Sequence, residues 1–326
     1  MTVPLPRQED LPVPLIDIKQ PGAAQAVREA CTQHGFMYVA NHDVPDELVA
    51  RQFEESRKFF ALPFEEKMKV EADSKARGYT PLGEQTLDPK HQTRPDTKES
   101  YYIWSPDVPA DSPEAQLPLH GTNQWPPADM APGFKPVMQA YHKAMAALSL
   151  RVLPLIAEAL HLPREYFLER FTNPLMTLRP IHYTAEESKP DQGVLGAGAH
   201  TDWGFLTYLV TDTTPGLQIW HQGAWVDVPP IPGAFVCNIG DLLQQWTNGT
   251  FKSTLHRVVN LVPGRERYSC AFFTSPDYDA VVECLPTCAE GGPKFPPVTC
   301  ATYLEGKYAA THAGYAQKNK GPAAEE

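Results

Sequence analysis

Several signals that would settle a functional class at once are missing from this chain. Its 326 residues include six cysteines, Cys31, Cys237, Cys270, Cys284, Cys288 and Cys300, but no CxxC pair. That excludes the usual zinc-ribbon spacing and the redox dithiol, and leaves a set of free thiols. No run of about 18 apolar residues occurs, so no membrane span is expected. The opening "MTVPLPRQEDLPVPLIDI" lacks the apolar core of a secretory signal. A reduced, cytoplasmic protein is the expectation, in which "NGT" at 248–250 reads as a turn rather than a glycosylation acceptor. Positive charge is short as well: 28 Lys and Arg stand against 39 Asp and Glu, a net −11 with no basic cluster. Nucleic acid is therefore not an expected partner. There is no internal repeat.

What is present changes character part-way along. Residues 12–132 form a mixed region, in which "VPLIDI" (13–18) and "GFMYVAN" (35–41) read as strands. Ala23, Val27, Ala30 and Cys31 have helical spacing between them. A second helix is expected over 46–63, with Leu48, Phe53, Phe59 and Phe60 on its apolar side and Asp46 as N-cap. Residues 72–132, rich in Pro, Asp and Gly, look loop-like. One long helix is expected over 133–162, bent or interrupted at Pro154. From about 174 short β-type runs follow one another with turn residues between, which suggests a sandwich or barrel. A helix over 298–313 and a polar tail over 314–326 end the chain. The fold expected is mixed α/β with a mainly β core, a double-stranded β-helix (jelly roll) within 133–313, wrapped by helices of the N-terminal half.

Chemistry enters at "GAHTDWGFLTYL" (198–209). On a strand, His200 and Asp202 share a face. An imidazole buried beside a carboxylate needs pairing, either with a metal ion or through a plain hydrogen bond. His256 in "STLHRVV" also alternates with apolar residues. Two histidines and one carboxylate are the ligand set of a mononuclear non-haem iron(II) site with open positions. Further on, Arg267 and Ser269 in "RERYSCAFF" share a face. A buried guanidinium requires an anion, and with a hydroxyl beside it suits a carboxylate. Tyr183, closing "LRPIHY", is a third donor.

The ordered set "HTD", His256 and "RYS" resembles the iron(II)- and 2-oxoglutarate-dependent dioxygenases, and within them the isopenicillin N synthase-like branch. "NIGDLLQQWTNGTFKSTLHRVV" (238–259), "HGFMYVANHDVP", "SRKFFALPFEEKMKV", "RGYTPLGEQ" and "PDTKESYYIW" are similar too, so the likeness runs from about 12 to 312. The resemblance implies a jelly roll, iron(II) on His200, Asp202 and His256, and 2-oxoglutarate held through its distal carboxylate by Arg267 and Ser269 with Tyr183 assisting. It implies dioxygen as co-reactant, ascorbate as a stimulant, and oxidation, most often hydroxylation, of a small molecule; a monomer is expected, with an oligomer left open. Two alternatives stay open: an oxidase that dispenses with 2-oxoglutarate, as isopenicillin N synthase and aminocyclopropanecarboxylate oxidase do, and a non-catalytic ligand-binding relative. In one respect the chain departs from many plant members, which carry an asparagine where Ile181 stands and use it to hold the cosubstrate. That favours a microbial, fungal or algal member; thymine 7-hydroxylase-like enzymes are one loose analogy.

For the substrate, Trp203 beside Asp202, Phe273 in phase with Arg267 and Ser269, and Arg179 in phase with Tyr183 are the candidates. Tyr101 and Tyr102 are read as part of a substrate loop. His34, His42, His142 and His161 are read as structural or solvated, His182 as facing away from the pocket, and His221 as exposed in the hairpin "WHQGAW".

Overall fold

The computed structural model describes residues 7–312 and 315; the expected polar tail lies, but for residue 315, outside them. In chain order the elements are β1 (Leu15–Asp17), α1 (Ala23–Gln33), β2 (Phe36–Ala40), α2 (Asp46–Phe60), α3 (Phe64–Met68), β3 (Gly78–Thr80), β4 (Lys98–Ser105) and α4 (Phe134–Ala159). The β-rich part follows with β5 (Pro174–Tyr183), β6 (Ala197–His200), β7 (Leu206–Thr211), β8 (Leu217–His221), β9 (Ala224–Asp227), β10 (Ala234–Ile239), α5 (Asp241–Trp246), β11 (His256–Val258) and β12 (Arg267–Asp277). The chain closes with β13 (Val281–Val282), β14 (Val298–Thr299) and α6 (Cys300–Thr311).

Eight strands make one sheet, in the order β1-β2-β10-β7-β12-β5-β4-β3, and four make a second, β6-β11-β8-β9. This is the expected jelly-roll core. Apart from the parallel β1–β2 pair, the ladders of these two sheets are antiparallel. Helix α4 runs between α1 and α2 and lies against β5 and β12. Its Tyr141, Met145, Leu148, Val152 and Ile156 recur at helical spacing and are fully buried, so one apolar stripe anchors the helical layer to the sheet. The helix continues through Pro154.

Four expectations need correction. The stretch 72–132 is not all loop, since it supplies β3 and β4, the edge of the large sheet. Strand β4 is covered on both faces and so lacks a period-two pattern; Lys98 and Glu99 further disguise it, being charged yet buried. Tyr101 and Tyr102 therefore stand on a strand. Tyr101 points into the helical layer, against Phe59 and Phe134, and donates to the Gln124 carbonyl (2.7 Å), while Tyr102 faces the opposite side. Asp46 is not the N-cap of α2 but its first residue after Pro45, an acid placed favourably at the helix start. The last helix begins at Cys300, after β14, with the Thr299 hydroxyl accepting from the Thr302 amide.

Candidate metal centre and the cavities around it

His200 and Asp202 do not share a strand. Strand β6 ends at His200, and Asp202 sits in the turn that leads to β7. The turn performs what strand alternation was expected to do. His256 opens β11 and is the register partner of His200 across the smaller sheet. One oxygen of Asp202 lies 3.8 Å from His200 Nε2 and 3.7 Å from His256 Nε2, and the two imidazole centroids are 4.3 Å apart. The three donor atoms lie within 4.8 Å of one another, too far for hydrogen bonds and close enough to share an ion.

The protonation pattern suits a metal. His200 Nδ1 is 2.7 Å from the Gly198 carbonyl and His256 Nδ1 is 3.0 Å from the Thr254 carbonyl. A carbonyl only accepts, so each Nδ1 carries the proton and each Nε2 presents its lone pair toward Asp202. Burial pushes the His200 imidazole down to about 4, with the His256 charge adding to the shift and Asp202 opposing it. Burial alone would raise the Asp202 carboxyl. The charges of His256 and His200, with hydrogen bonds from Asn238 (2.7 Å to the second oxygen) and Thr207, outweigh it and hold the group below its usual range. Two imidazoles that turn Nε2 toward one carboxylate form a donor set suited to a divalent cation.

Beside this cluster lies an inner cavity lined by Ile181, Tyr183, Lys98 and the three candidate ligands. Next to Tyr183 stands Arg267, 1% exposed, its guanidinium carbon 4.8 Å from the Tyr183 ring centroid. Cross-strand register places Arg267 opposite Tyr183 and Ser269 opposite Ile181. Arg267 Nε and Nη1 and the Ser269 hydroxyl are buried with no hydrogen-bond partner among the described residues. Buried donors left without acceptors are costly. Their grouping fits a bound carboxylate at this point.

An outer cavity shares His200, Asp202, Arg179, Leu87 and Phe273 with the inner one, and adds Trp203, Tyr102, Trp104, Gln85 and Tyr308. Trp203 is half-buried against Tyr308, at 5.1 Å between centroids. Arg179 is buried and stacks on Tyr102 at 4.4 Å. Its side chain donates to Gln85 Oε1 (2.8 Å) and Ser100 Oγ (3.0 and 3.1 Å), and it has no carboxylate partner among the described residues. All three substrate candidates thus come together beside the metal cluster. His182 faces away, 2.7 Å from Glu99 Oε1 on the opposite face of the sheet. His221 is not exposed as expected; it is half-buried and stacked on His34 at 4.9 Å, a contact between β8 and the end of α1 that no local pattern announces. Lys98, Gln85 and Tyr308 were not identified from the sequence. The first two lie in the stretch without periodicity, and Tyr308 belongs to a helix whose apolar residues point to no single face.

Residues 13–128 match the family described as non-haem dioxygenase in morphine synthesis N-terminal, and residues 175–276 match the 2OG-Fe(II) oxygenase superfamily. The chain belongs to the 2OG-Fe(II) oxygenase superfamily. This oxygenase is 36% identical over 318 residues to kihadalactone A synthase LFS of Citrus sinensis, with 94% of each chain covered. It is 37% identical over 313 residues to the 2-oxoglutarate-Fe(II) type oxidoreductase hxnY of Emericella nidulans, covering 93% of this chain and 88% of that one. Among solved structures, a full-length Neurospora crassa protein in complex with alpha-KG and thymine superposes with a TM-score of 0.80 at 31% identity, over 93% of this chain and 98% of that one. The oxygenase is therefore an iron(II)-dependent enzyme that uses 2-oxoglutarate and dioxygen, and its His-Asp-His cluster falls inside the matched oxygenase region.

Proposed function

We propose that this dioxygenase hydroxylates a small polar or anionic molecule held in the outer cavity. In this reading iron(II) is bound by His200, Asp202 and His256, and the distal carboxylate of 2-oxoglutarate by Arg267 and Ser269 with Tyr183. When bound, iron and cosubstrate supply activation of dioxygen, with 2-oxoglutarate leaving as succinate and carbon dioxide and one oxygen atom entering a substrate C–H bond. The protein contributes placement and dryness. The carbonyls of Gly198 and Thr254 hold the imidazoles in one tautomer, and Asn238 keeps the second Asp202 oxygen turned away from the cluster. Trp203, Phe273 and Tyr102 offer aromatic walls that exclude water and restrict the pose.

The observation that carries the substrate class is Arg179. Its guanidinium is buried beside the metal cluster, and among the described residues its hydrogen bonds go to the neutral groups of Gln85 and Ser100. Such a cation is completed by an electron-rich polar or anionic substrate group. The Neurospora crassa relative, solved with thymine, supports a small polar occupant for this fold. The test is turnover of a panel of small carboxylates, amides and pyrimidines under labelled dioxygen. One labelled hydroxyl and one succinate per product are expected. Arg179→Gln should raise KM for the accepted substrate roughly tenfold or more, the worth of a charged hydrogen bond, and leave 2-oxoglutarate binding unchanged. Product without added oxygen atoms would reject hydroxylation.

A further inference from the structure

The inner cavity contains a cation with no assigned task. Lys98 projects from β4 on the same face as the cosubstrate residues. Its register partner is Tyr183, which in turn pairs with Arg267, so Lys98, Tyr183 and Arg267 form one cross-strand row. The adjacent row is Ser100, Ile181 and Ser269. The Lys98 side chain is 3% exposed and lines the inner cavity with Ile181, His200, Asp202 and His256, but not the outer one. Its ammonium has one acceptor among the described residues, Asp96, which leaves two N–H bonds without a protein partner. Lysines are almost never fully buried without full pairing.

Asp96 is itself held by further partners. Besides Lys98 it accepts from Gln92 Nε2 and from the Gly198 amide, both at 2.9 Å. Gly198 is the residue whose carbonyl fixes His200. The ammonium is thus held rigidly at the wall shared with a metal ligand, with donors to spare. Between Ser100 and Ser269 in the same wall stands Ile181, an apolar side chain with no donor to offer. Arg267 and Ser269 account for one end of a dicarboxylate; on β5, Tyr183 stands at that same end and Arg179 is held by Gln85 and Ser100.

We propose that Lys98 binds the metal-proximal carboxylate of 2-oxoglutarate, supplying from the neighbouring strand the donor that Ile181 lacks. The proposal rests on the 2-oxoglutarate reading of this site. Its test is anaerobic titration of the iron(II)-loaded full chain with 2-oxoglutarate, followed by the metal-to-ligand charge-transfer band, in the wild type, Lys98→Met and Lys98→Gln. Gln keeps a donor for Asp96 and protects the fold where Met does not. Both variants are expected to bind 2-oxoglutarate roughly 10- to 100-fold more weakly, the range of a charged hydrogen bond, and to shift the band maximum. Adding Ile181→Asn to Lys98→Gln is expected to restore part of the affinity. Wild-type affinity and band position in the Lys98 variants overturn the proposal. So does a loss of iron with unchanged affinity per bound iron, which would make Lys98 a prop for His200 through Asp96. A loss confined to the primary substrate overturns it as well. If the wild type gives no band at all, it is the 2-oxoglutarate reading that fails.

Discussion

At Arg267 a guanidinium sealed from solvent has two nitrogens without acceptors among the described residues, beside a serine hydroxyl in the same condition. A binding partner that completes both is the physical reason for such a cluster to persist. Removing one side of a buried charged pair typically costs about 2–5 kcal/mol. Arg267→Ala is therefore expected to weaken 2-oxoglutarate binding by roughly 30- to 4,000-fold, at about 1.4 kcal/mol per tenfold. Arg267→Lys should recover part of this, since an ammonium cannot form the planar fork. Iron content should stay at the wild-type level in both, measured by metal analysis beside the titration. A weakened primary substrate with intact 2-oxoglutarate binding would place the substrate's own carboxylate in that pocket. His256→Ala, by contrast, is expected to lose iron itself.

Gly198 on strand β6 shows how a residue two positions before a candidate ligand supports it without being one itself. Gly198 packs so closely on the 88–92 turn that a Cβ would run into the Gln92 side chain and stand 2.9 Å from the Asp88 amide. Gly198→Ala should push β6 away from that turn and turn the His200 ring. An iron affinity lower by about 10- to 100-fold is expected, as for other lost supports of a metal ligand, read by competition with a chelator. The helical layer carries a separate device on α4. Burial against Phe272 pushes His142 down to about 4, with the hydrogen bond to the Met176 carbonyl opposing it. An ordinary histidine titrates near 6.5. Between those values the unfolded chain binds a proton that the folded chain refuses. Stability from this group is full above pH 6.5 and is lost as pH falls toward about 4. His142→Phe should flatten the acid side of the stability profile, measured by urea unfolding at neutral and mildly acidic pH. An unchanged slope would mean that His142 is solvated.

For the molecule as a whole, the metal donors come from the smaller sheet and its connecting turn, whereas the carboxylate donors stand on the large one. On the proposed assignment, iron and cosubstrate together would tie the two sheets across the barrel, while either alone would meet only part of the site. A ligand at a hundred times its dissociation constant adds about 2.7 kcal/mol of stability. The expected result is a melting temperature raised more by iron(II) and 2-oxoglutarate together than by the sum of their separate effects. Equal stabilisation by 2-oxoglutarate with and without metal would show that it does not bind at the metal. Surface and interior also differ in charge. The chain carries a net −11, yet the two cavities are lined or flanked by Lys98, Arg179 and Arg267. On the proposed reading, anionic ligands would be selected by these buried cations and not by the overall field.

The residue types of the centre are legible in one dimension. His200, Asp202, His256, Arg267 and Ser269 stand in β-type stretches where ionisable groups need partners, and that need shows without coordinates. The class of fold is legible too, because short β runs separated by turn residues have few ways to bury their apolar faces. It took the folded chain to reveal that Asp202 meets His200 through a turn. The same holds for β4, which extends the large sheet behind a charged, unpatterned segment, and for Arg179, whose hydrogen-bond partners among the described residues are the neutral Gln85 and Ser100. Lys98 is the clearest case. Along the chain it is a lysine in a polar stretch, indistinguishable from a solvated one. Its meaning comes from pairing with β5 and from Asp96 and Gly198, contacts about a hundred residues apart in the case of Gly198. Local pattern records what a residue needs, and long-range strand pairing determines where it finds it.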